Sequence, residues 1–392
     1  MDGINLPEHW EILPFTDCLK KVETKKKPSI PKTDYQESGE FPVIDQGASF
    51  IAGWTDSVDS VISDNLPLVI FGDHTRIFKY VDFPFALGAD GTKILYVNDY
   101  ILDPRFFYYA LSNLNVPSKG YNRHYRYLQE FSVVCPPIPE QRTIAHILQT
   151  IQEAKFARQR EIALERERKA ALMDCLFSHG TKGGPRKQTE IGEIPEGWEV
   201  VQLSDRANLR RENVNPKDNQ NLNFVGLEHI DTGESILKRW GEASKVKSAK
   251  NHFYPDDILY GKLRSYLDKA VIAEMEGICS TDILVFTSAL NTSPRFLVYL
   301  LHTEAFVNHA VATSTGISHP RTSWDSLGKF TFAFPPLSEQ RTIANIFRAI
   351  DKKIAALERE VELIDELFHA TLEKLMTGQL SAEPLVDTEL QS

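Results

Sequence analysis

Between Lys119 and Tyr127 the chain reads Lys-Gly-Tyr-Asn-Arg-His-Tyr-Arg-Tyr, interleaving cations, aromatic rings and a carboxamide. Arginine forks onto guanine, asparagine onto adenine, either holds a phosphate, and a planar ring can stack on a base. Tyr121, Asn122, Arg123, His124, Tyr125 and Arg126 are therefore candidate DNA-binding residues. The plain alternative is a solvated turn whose tyrosines pack inward. A second cluster, Leu-Tyr-Gly-Lys-Leu-Arg-Ser-Tyr at 259–266, has the form of a strand running into an exposed basic turn, with Lys262, Arg264 and Tyr266 as candidates. An ordinary hairpin with lysine on its edge would look the same. A polar glycine loop, Thr313–Arg321, adds Ser318 and Arg321. His74, Arg76 and Lys79 form a weaker set, read as surface charge.

The chain carries no catalytic signature. The chain has no phosphate-cradling Gly-x-x-x-x-Gly-Lys-Ser/Thr, no Gly-x-Gly-x-x-Gly, no His-Glu-x-x-His, no Gly-x-Ser-x-Gly and no Asp/Asn-Pro-Pro-aromatic tetrad. Its 11 histidines lack ligand spacing, and its 4 cysteines (Cys18, Cys135, Cys175, Cys279) form no Cys-x-x-Cys pair. No metal or cofactor site is expected. The pattern favours binding over catalysis.

The elements that would position these clusters come in duplicate. Pro-Pro-Ile-Pro-Glu-Gln-Arg-Thr-Ile-Ala-His-Ile at 136–147 returns as Pro-Pro-Leu-Ser-Glu-Gln-Arg-Thr-Ile-Ala-Asn-Ile at 335–346. Leu-Pro-Glu-His-Trp-Glu at 6–11 returns as Ile-Pro-Glu-Gly-Trp-Glu at 194–199. The order is Trp motif, variable stretch, helix motif, twice over. Two like-built modules with unlike middles imply one scaffold presenting two binding heads. Gly120–Arg126 and Thr313–Arg321 hold corresponding places, each just before a helix motif.

After each Pro-Pro the apolar period becomes helical. Ile350, Ile354, Leu357, Val361, Ile364, Phe368, Thr371 and Leu375 alternate steps of four and three, a coiled-coil seam. Ser338 is the expected N-cap and Gly378 the terminator. The first copy opens its seam with Ile144, Ile147 and Ile151 and closes it with Leu172, Cys175 and Leu176, but Arg158, Glu161, Glu165 and Arg168 fall in the middle. Such a helix needs a partner, and the other helix is the obvious one, although each could instead pack on its own head. Glu140, Gln141 and Arg142, with Glu339, Gln340 and Arg341, either dress the first helical turn, where acids suit the dipole, or serve a shared structural or partner-docking role at the head-helix junction.

The expected boundaries are a first head at 1–137, a first long helix at 138–180, a linker at 181–193, a second head at 194–336, a second long helix at 337–378 and an acidic tail at 379–392. The heads carry short β-type runs, such as 41–44, 66–71, 93–97, 283–286 and 330–334, with helical stretches at 105–114 and 294–311. The fold class is α+β: two mixed α/β heads joined by two long antiparallel coiled-coil helices, with an internal pseudo-twofold duplication.

At 392 residues and 42% hydrophobic content the chain can bury two cores. Its net charge of -10 argues against nucleic acid only as a sum. From 351 to 392 there are ten acids and four bases, whereas from 236 to 271 there are eight bases and four acids. Basic islands on an acidic chain permit local phosphate binding. No signal peptide or membrane-spanning run is visible, so a cytoplasmic protein is expected.

These residues resemble the specificity subunits of type I DNA restriction-modification systems. The resemblance rests on the duplicated Pro-Pro-x-x-Glu-Gln-Arg-x-Ile-Ala and Pro-Glu-x-Trp-Glu motifs, on Gly-Glu-Phe-Pro-Val-Ile-Asp-Gln-Gly at 39–47, on Gly120-Tyr-x-Arg-His-Tyr and on Asp257-Ile-Leu-Tyr-Gly-Lys-Leu-Arg264. It covers nearly the whole chain. It implies heads that are target-recognition domains, each reading one half of an interrupted double-stranded DNA site, with the helices as a ruler. Partners would be two methyltransferase subunits, which methylate adenine, and endonuclease/translocase subunits. The chain itself would be non-catalytic. The competing reading is a coiled-coil protein-protein adaptor without a DNA role.

Overall fold

The computed structural model describes residues 6–22, 27–88, 91–118, 120, 123–218 and 220–385. The chain divides into two compact units, residues 1–159 with 359–392, and residues 160–358. Each unit contains one head and a length of both long helices.

In the first unit, strand Glu11–Pro14 pairs antiparallel with Ser132–Cys135, so the start of the head returns to its end just before Pro136. Between them lie a four-stranded sheet, ordered 53–55, 41–44, 85–87, 61–62, and a three-stranded sheet, ordered 78–81, 68–72, 92–95. Strand Leu68–Gly72 is buried throughout, as its unbroken apolar run requires. Helix Pro104–Ser112 starts at Asp103, whose carboxylate accepts from the N–H groups of Arg105 and Phe106, with proline in the first turn where no donor is lost. It drives Phe106, Phe107 and Leu111 into a core shared with Trp10, Phe15 and Leu128, which also receives Leu372 and Leu375 from the second long helix. Each such aromatic contributes about 1.5–3 kcal/mol of transfer free energy.

The second unit closes its head in the same manner, Glu199–Gln202 against Thr331–Phe334. Its sheets have four strands (207–209, 283–288, 258–261, 270–272) and five (213–214, 250–253, 277–279, 223–225, 241–242). The helix expected over 294–311 is two helices, Pro294–Leu300 and Glu304–Ala312. Thr303 separates them: its hydroxyl donates to the Leu300 carbonyl at 2.7 Å and accepts from the Phe306 N–H. Within 181–193 the chain forms a hairpin strand, Arg186–Thr189, which pairs with Gly192–Pro195.

The long helices run Ile138–His179 and Leu337–Met376, 42 and 40 residues, or about 60 Å each at 1.5 Å per residue. Ser338 is not the N-cap. The Pro336 carbonyl accepts from Glu339 and Gln340 N–H at 2.9 and 3.0 Å, so the helix begins at Leu337, two residues before the start that a Ser338 cap would give. Gly180 and Gly378 end the helices with φ of 73° and 68°, a left-handed conformation that glycine adopts at no steric cost.

Every position of the second helix's seam is buried or half-buried. The first helix's seam rotates slightly at its end: Cys175 is exposed, while Met173 and Leu176 are buried and Phe177 stacks on Phe347. The stripe faces Met173 and Phe177 because it follows the aromatic core of the second head, which Phe177 also meets at Phe296. The charged middle is matched by charge. In the first unit Lys155 pairs with Asp365 and Arg158 with Glu360, so partner numbers fall as helix numbers rise. In the second unit Glu161 and Glu165 share Lys353, and Lys169 meets Asp351. The helices pair antiparallel in both units. Among the described residues no helix is long and apolar enough to cross a membrane.

Candidate nucleic-acid interface

In the first head the central strand ends at Gly72 and the chain turns through Asp73 to Arg76. Asp73 is buried, and its carbonyl accepts two hydrogen bonds from His124, from the backbone N–H at 2.9 Å and from ring Nδ1 at 2.8 Å. Because a carbonyl only accepts, Nδ1 carries the proton. The Asp73 carboxylate accepts the Tyr125 N–H at 2.8 Å. The turn and the basic aromatic cluster are thus sewn together.

That fastening separates the predicted residues. His124 is buried and its Nδ1–H is committed to Asp73, so it positions the loop. The Tyr125 ring packs inward toward Phe15 and Phe71, and burial pushes its phenol above the ordinary range, with Asp73 a lesser cause. Arg123 and Arg126 are exposed, and Arg126 lies 4.6 Å over the Tyr127 ring while donating to its hydroxyl. With Lys93, Asp73 and Tyr125 they border an open hollow of about 490 Å³. Tyr121 and Asn122 lie outside the described residues. Sequence reasoning missed Asp73 and Lys93, whose only mark is that Asp73 follows a strand-ending glycine.

The second head brings its candidates together from two segments. Leu263 bridges to Arg321, the Arg264 N–H donates to the Pro320 carbonyl at 2.8 Å, and the Ser265 and Ser314 hydroxyls meet at 3.2 Å. Arg321 and Thr315 exchange backbone bonds at 2.9 Å, which closes the glycine loop. Arg264, Tyr266, Ser318 and Arg321 are exposed on this surface and Lys262 is half-buried. Arg321 leans on Asp282, Nε to Oδ1 3.2 Å.

Arg76 and Arg264 both sit at positive φ, 63° and 55°, in the turn after their strand-ending glycines. A left-handed arginine is uncommon and costs on the order of 1 kcal/mol, so two at corresponding turns mark a constrained surface. Lys79, read as surface charge, is instead buried: its ammonium donates to the carbonyls of Asp45 (2.7 Å) and Ser49 (2.6 Å). Strand Phe78–Val81 packs it under the loop that follows Ile44.

The duplicated motifs converge at the head-helix junction. Glu140 accepts from Trp10 Nε1 at 3.0 Å, and Glu339 accepts from Trp198 Nε1 at 3.0 Å. Gln141 accepts the Asp103 N–H and donates to the Pro136 carbonyl; Gln340 accepts the Ser293 N–H and donates to the Pro335 carbonyl. Arg142 and Arg341 are exposed. Each glutamine ties the cap of a head helix to the start of a long helix. A third repeat went unread, Pro-Arg-Phe-x-x-Tyr at 104–109 and 294–299. Its arginines pair with Asp82 and Glu274, and its tyrosines reach Gln152 and Asp351 on the long helices.

Among the described residues no group of three or more His, Cys, Asp or Glu is arranged to hold a metal. Burial raises the Cys18 thiol to about 12, far from the thiolate range a nucleophile needs.

Comparison with known proteins places this geometry. The family described as type I restriction modification DNA specificity domain matches twice, at residues 7–166 and 195–366. The MjaVIII type I restriction enzyme specificity subunit of Methanocaldococcus jannaschii is 24% identical, with 98% of this chain and 96% of that protein aligned. The EcoDI specificity subunit of Escherichia coli is 26% identical, over 98% and 91%. In fold, the chain resembles the type I restriction-modification S subunit of M. genitalium, with a TM-score of 0.62 at 15% identity over 96% of this chain and 97% of that one. The chain carries this domain twice along nearly its whole length and belongs to the type I restriction-modification specificity subunits.

Proposed function

We propose that each head reads one half of an interrupted double-stranded DNA site, and that the paired helices set the distance between halves. The observation that carries this reading is the matching construction of the two heads. In each, a strand-ending glycine leads into a turn with a left-handed arginine, fastened to a second polar segment that exposes cations. The exposed Arg123 and Arg126 serve one half-site, and Arg264 and Arg321 the other, by phosphate contact or by forking onto guanine. Unlike heads on a duplicated scaffold suit a two-part asymmetric site. Methyltransferase subunits, two in number, dock on the chain and methylate adenine at the site, and endonuclease/translocase subunits join them for restriction. The chain works in the cytoplasm and contributes specificity alone.

The test is co-expression with the neighbouring modification subunit in an unmethylated host, with adenine methylation mapped by single-molecule sequencing. A gapped two-part motif seen only with both chains supports the reading. Co-purifying soluble partners that leave no new motif would point to the adaptor instead. An adaptor also shows no salt-dependent affinity for duplex DNA.

A further inference from the structure

Lys79 is a costly residue to bury. An ammonium removed from water loses several kcal/mol unless its donors are satisfied, and Lys79 satisfies them on the backbone of one loop, at the carbonyls of Asp45, Ser49 and Phe50 (2.7, 2.6 and 3.5 Å). The Asp45 carboxylate stands 3.8 Å away. The loop so held is also tied to the basic turn: the Thr75 hydroxyl donates to the Gln46 carbonyl at 2.6 Å, and the His74 N–H to Gln46 Oε1 at 3.1 Å. Beyond Gly47 the loop exposes Ala48, Ser49 and Phe50.

The second head carries a lighter form of this contact, on a half-buried lysine and a single carbonyl. Lys269 donates Nζ–H to the Leu227 carbonyl at 2.7 Å, in the loop after strand Asn223–Val225. By register, Gly72 bonds Ile77 and Gly261 bonds Lys269. The two lysines therefore stand two positions apart on corresponding strands, on the same face. The Leu227 loop presses on the basic turn, where a Cβ on Gly261 would come within 2.9 Å of Leu227 Cδ2. It exposes Glu228, and its His229 Nδ1 accepts the Gly226 N–H at 2.9 Å, which fixes the turn.

Resting on the DNA-reading function above, we propose that the loops at 45–50 and 226–230 are a second DNA-contacting element of each head, and that Lys79 and Lys269 are positioning residues that hold them beside the basic turns. A clamp on carbonyls fixes backbone without using the exposed side chains at 48–50 and 228, which can differ as a surface that must read different bases requires. Ser49 and Phe50 offer a hydroxyl and an apolar contact for a thymine methyl. Glu228, which phosphates would repel, suits the cytosine amino group.

The experiment uses the full chain with its modification partner and maps methylated sites for Lys79→Met, Phe50→Ala, Lys269→Met and Glu228→Gln. Lys79→Met and Phe50→Ala should lower base preference in one half of the motif on the order of tenfold, with the gap and the other half unchanged. Lys269→Met and Glu228→Gln should do so in the opposite half. Methylation that falls uniformly with an unaltered motif, or parental fidelity in all four, overturns the proposal. The exposed Phe50 and Glu228 variants decide the matter if a lysine variant fails to fold. A parental chain that gives no gapped motif sinks the DNA reading itself, a separate outcome.

Discussion

Trp198 donates its indole N–H to Glu339 across 3.0 Å, and the same carboxylate accepts from the Thr181 N–H (2.9 Å) and hydroxyl (3.1 Å). One side chain at the start of a helix thereby collects the Trp motif and the segment leaving the other long helix. Glu339→Ala leaves three donors unmatched, of which the indole N–H belongs to the buried Trp198, and a buried unmet donor costs about 1–3 kcal/mol. Thermal denaturation should show a lowered Tm, with a smaller drop for Glu339→Gln. Equal stability of Glu339→Ala and the parent would contradict this role.

Asp351 joins the second head to both long helices. It accepts from the Ser235 hydroxyl (2.6 Å) and the Tyr299 hydroxyl (2.8 Å) and pairs with Lys169 (2.6 Å). Breaking such a buried pair from one side costs about 3 kcal/mol. Lys169→Met should therefore destabilise strongly in urea titrations, and combining it with Asp351→Asn should cost less than the two changes added. Strict additivity would show that the pair is not coupled.

Glu165 sets a pH dependence on the helix pair. Its bond to Lys353, with Lys353 and Arg168 charge as further causes, holds its carboxyl below the ordinary 4.5. A depressed folded-state value means the stabilisation is present above pH 4.5 and is lost as pH falls through the lower folded value. Lys353→Met should flatten the acid limb of the stability curve over that window. An unchanged acid limb in the variant would remove Glu165 as its source.

The exposed arginines divide by half-site. Arg123→Ala and Arg126→Ala should weaken binding through one half, and Arg264→Ala and Arg321→Ala through the other. Removing an arginine that holds a phosphate lowers the slope of log K against log salt by about 1, whereas removing one that forks onto a base costs about 1–3 kcal/mol at that base pair and relaxes its specificity. Titration of gapped duplexes at several salt concentrations separates the two. Parental affinity for all four variants would move the interface elsewhere.

The sequence alone established the duplicated scaffold, the two long helices and the second helix's seam, because repeats and periodicity are properties of neighbours along the chain. Strand Phe41–Ile44 was legible as a short β-type run among Gly, Pro and Asp. Side-chain fate was not. His124 is buried by Asp73, 51 residues away, and the acidic middle of the first helix meets Lys353, 188 residues from Glu165. Lys79 looked like solvated charge until the loop after Ile44 closed over it, and Cys175 looked like seam until the aromatic core rotated the stripe toward Met173 and Phe177. Composition sets which groups are available, but burial and partners depend on distant segments brought together, and those only the tertiary structure decided.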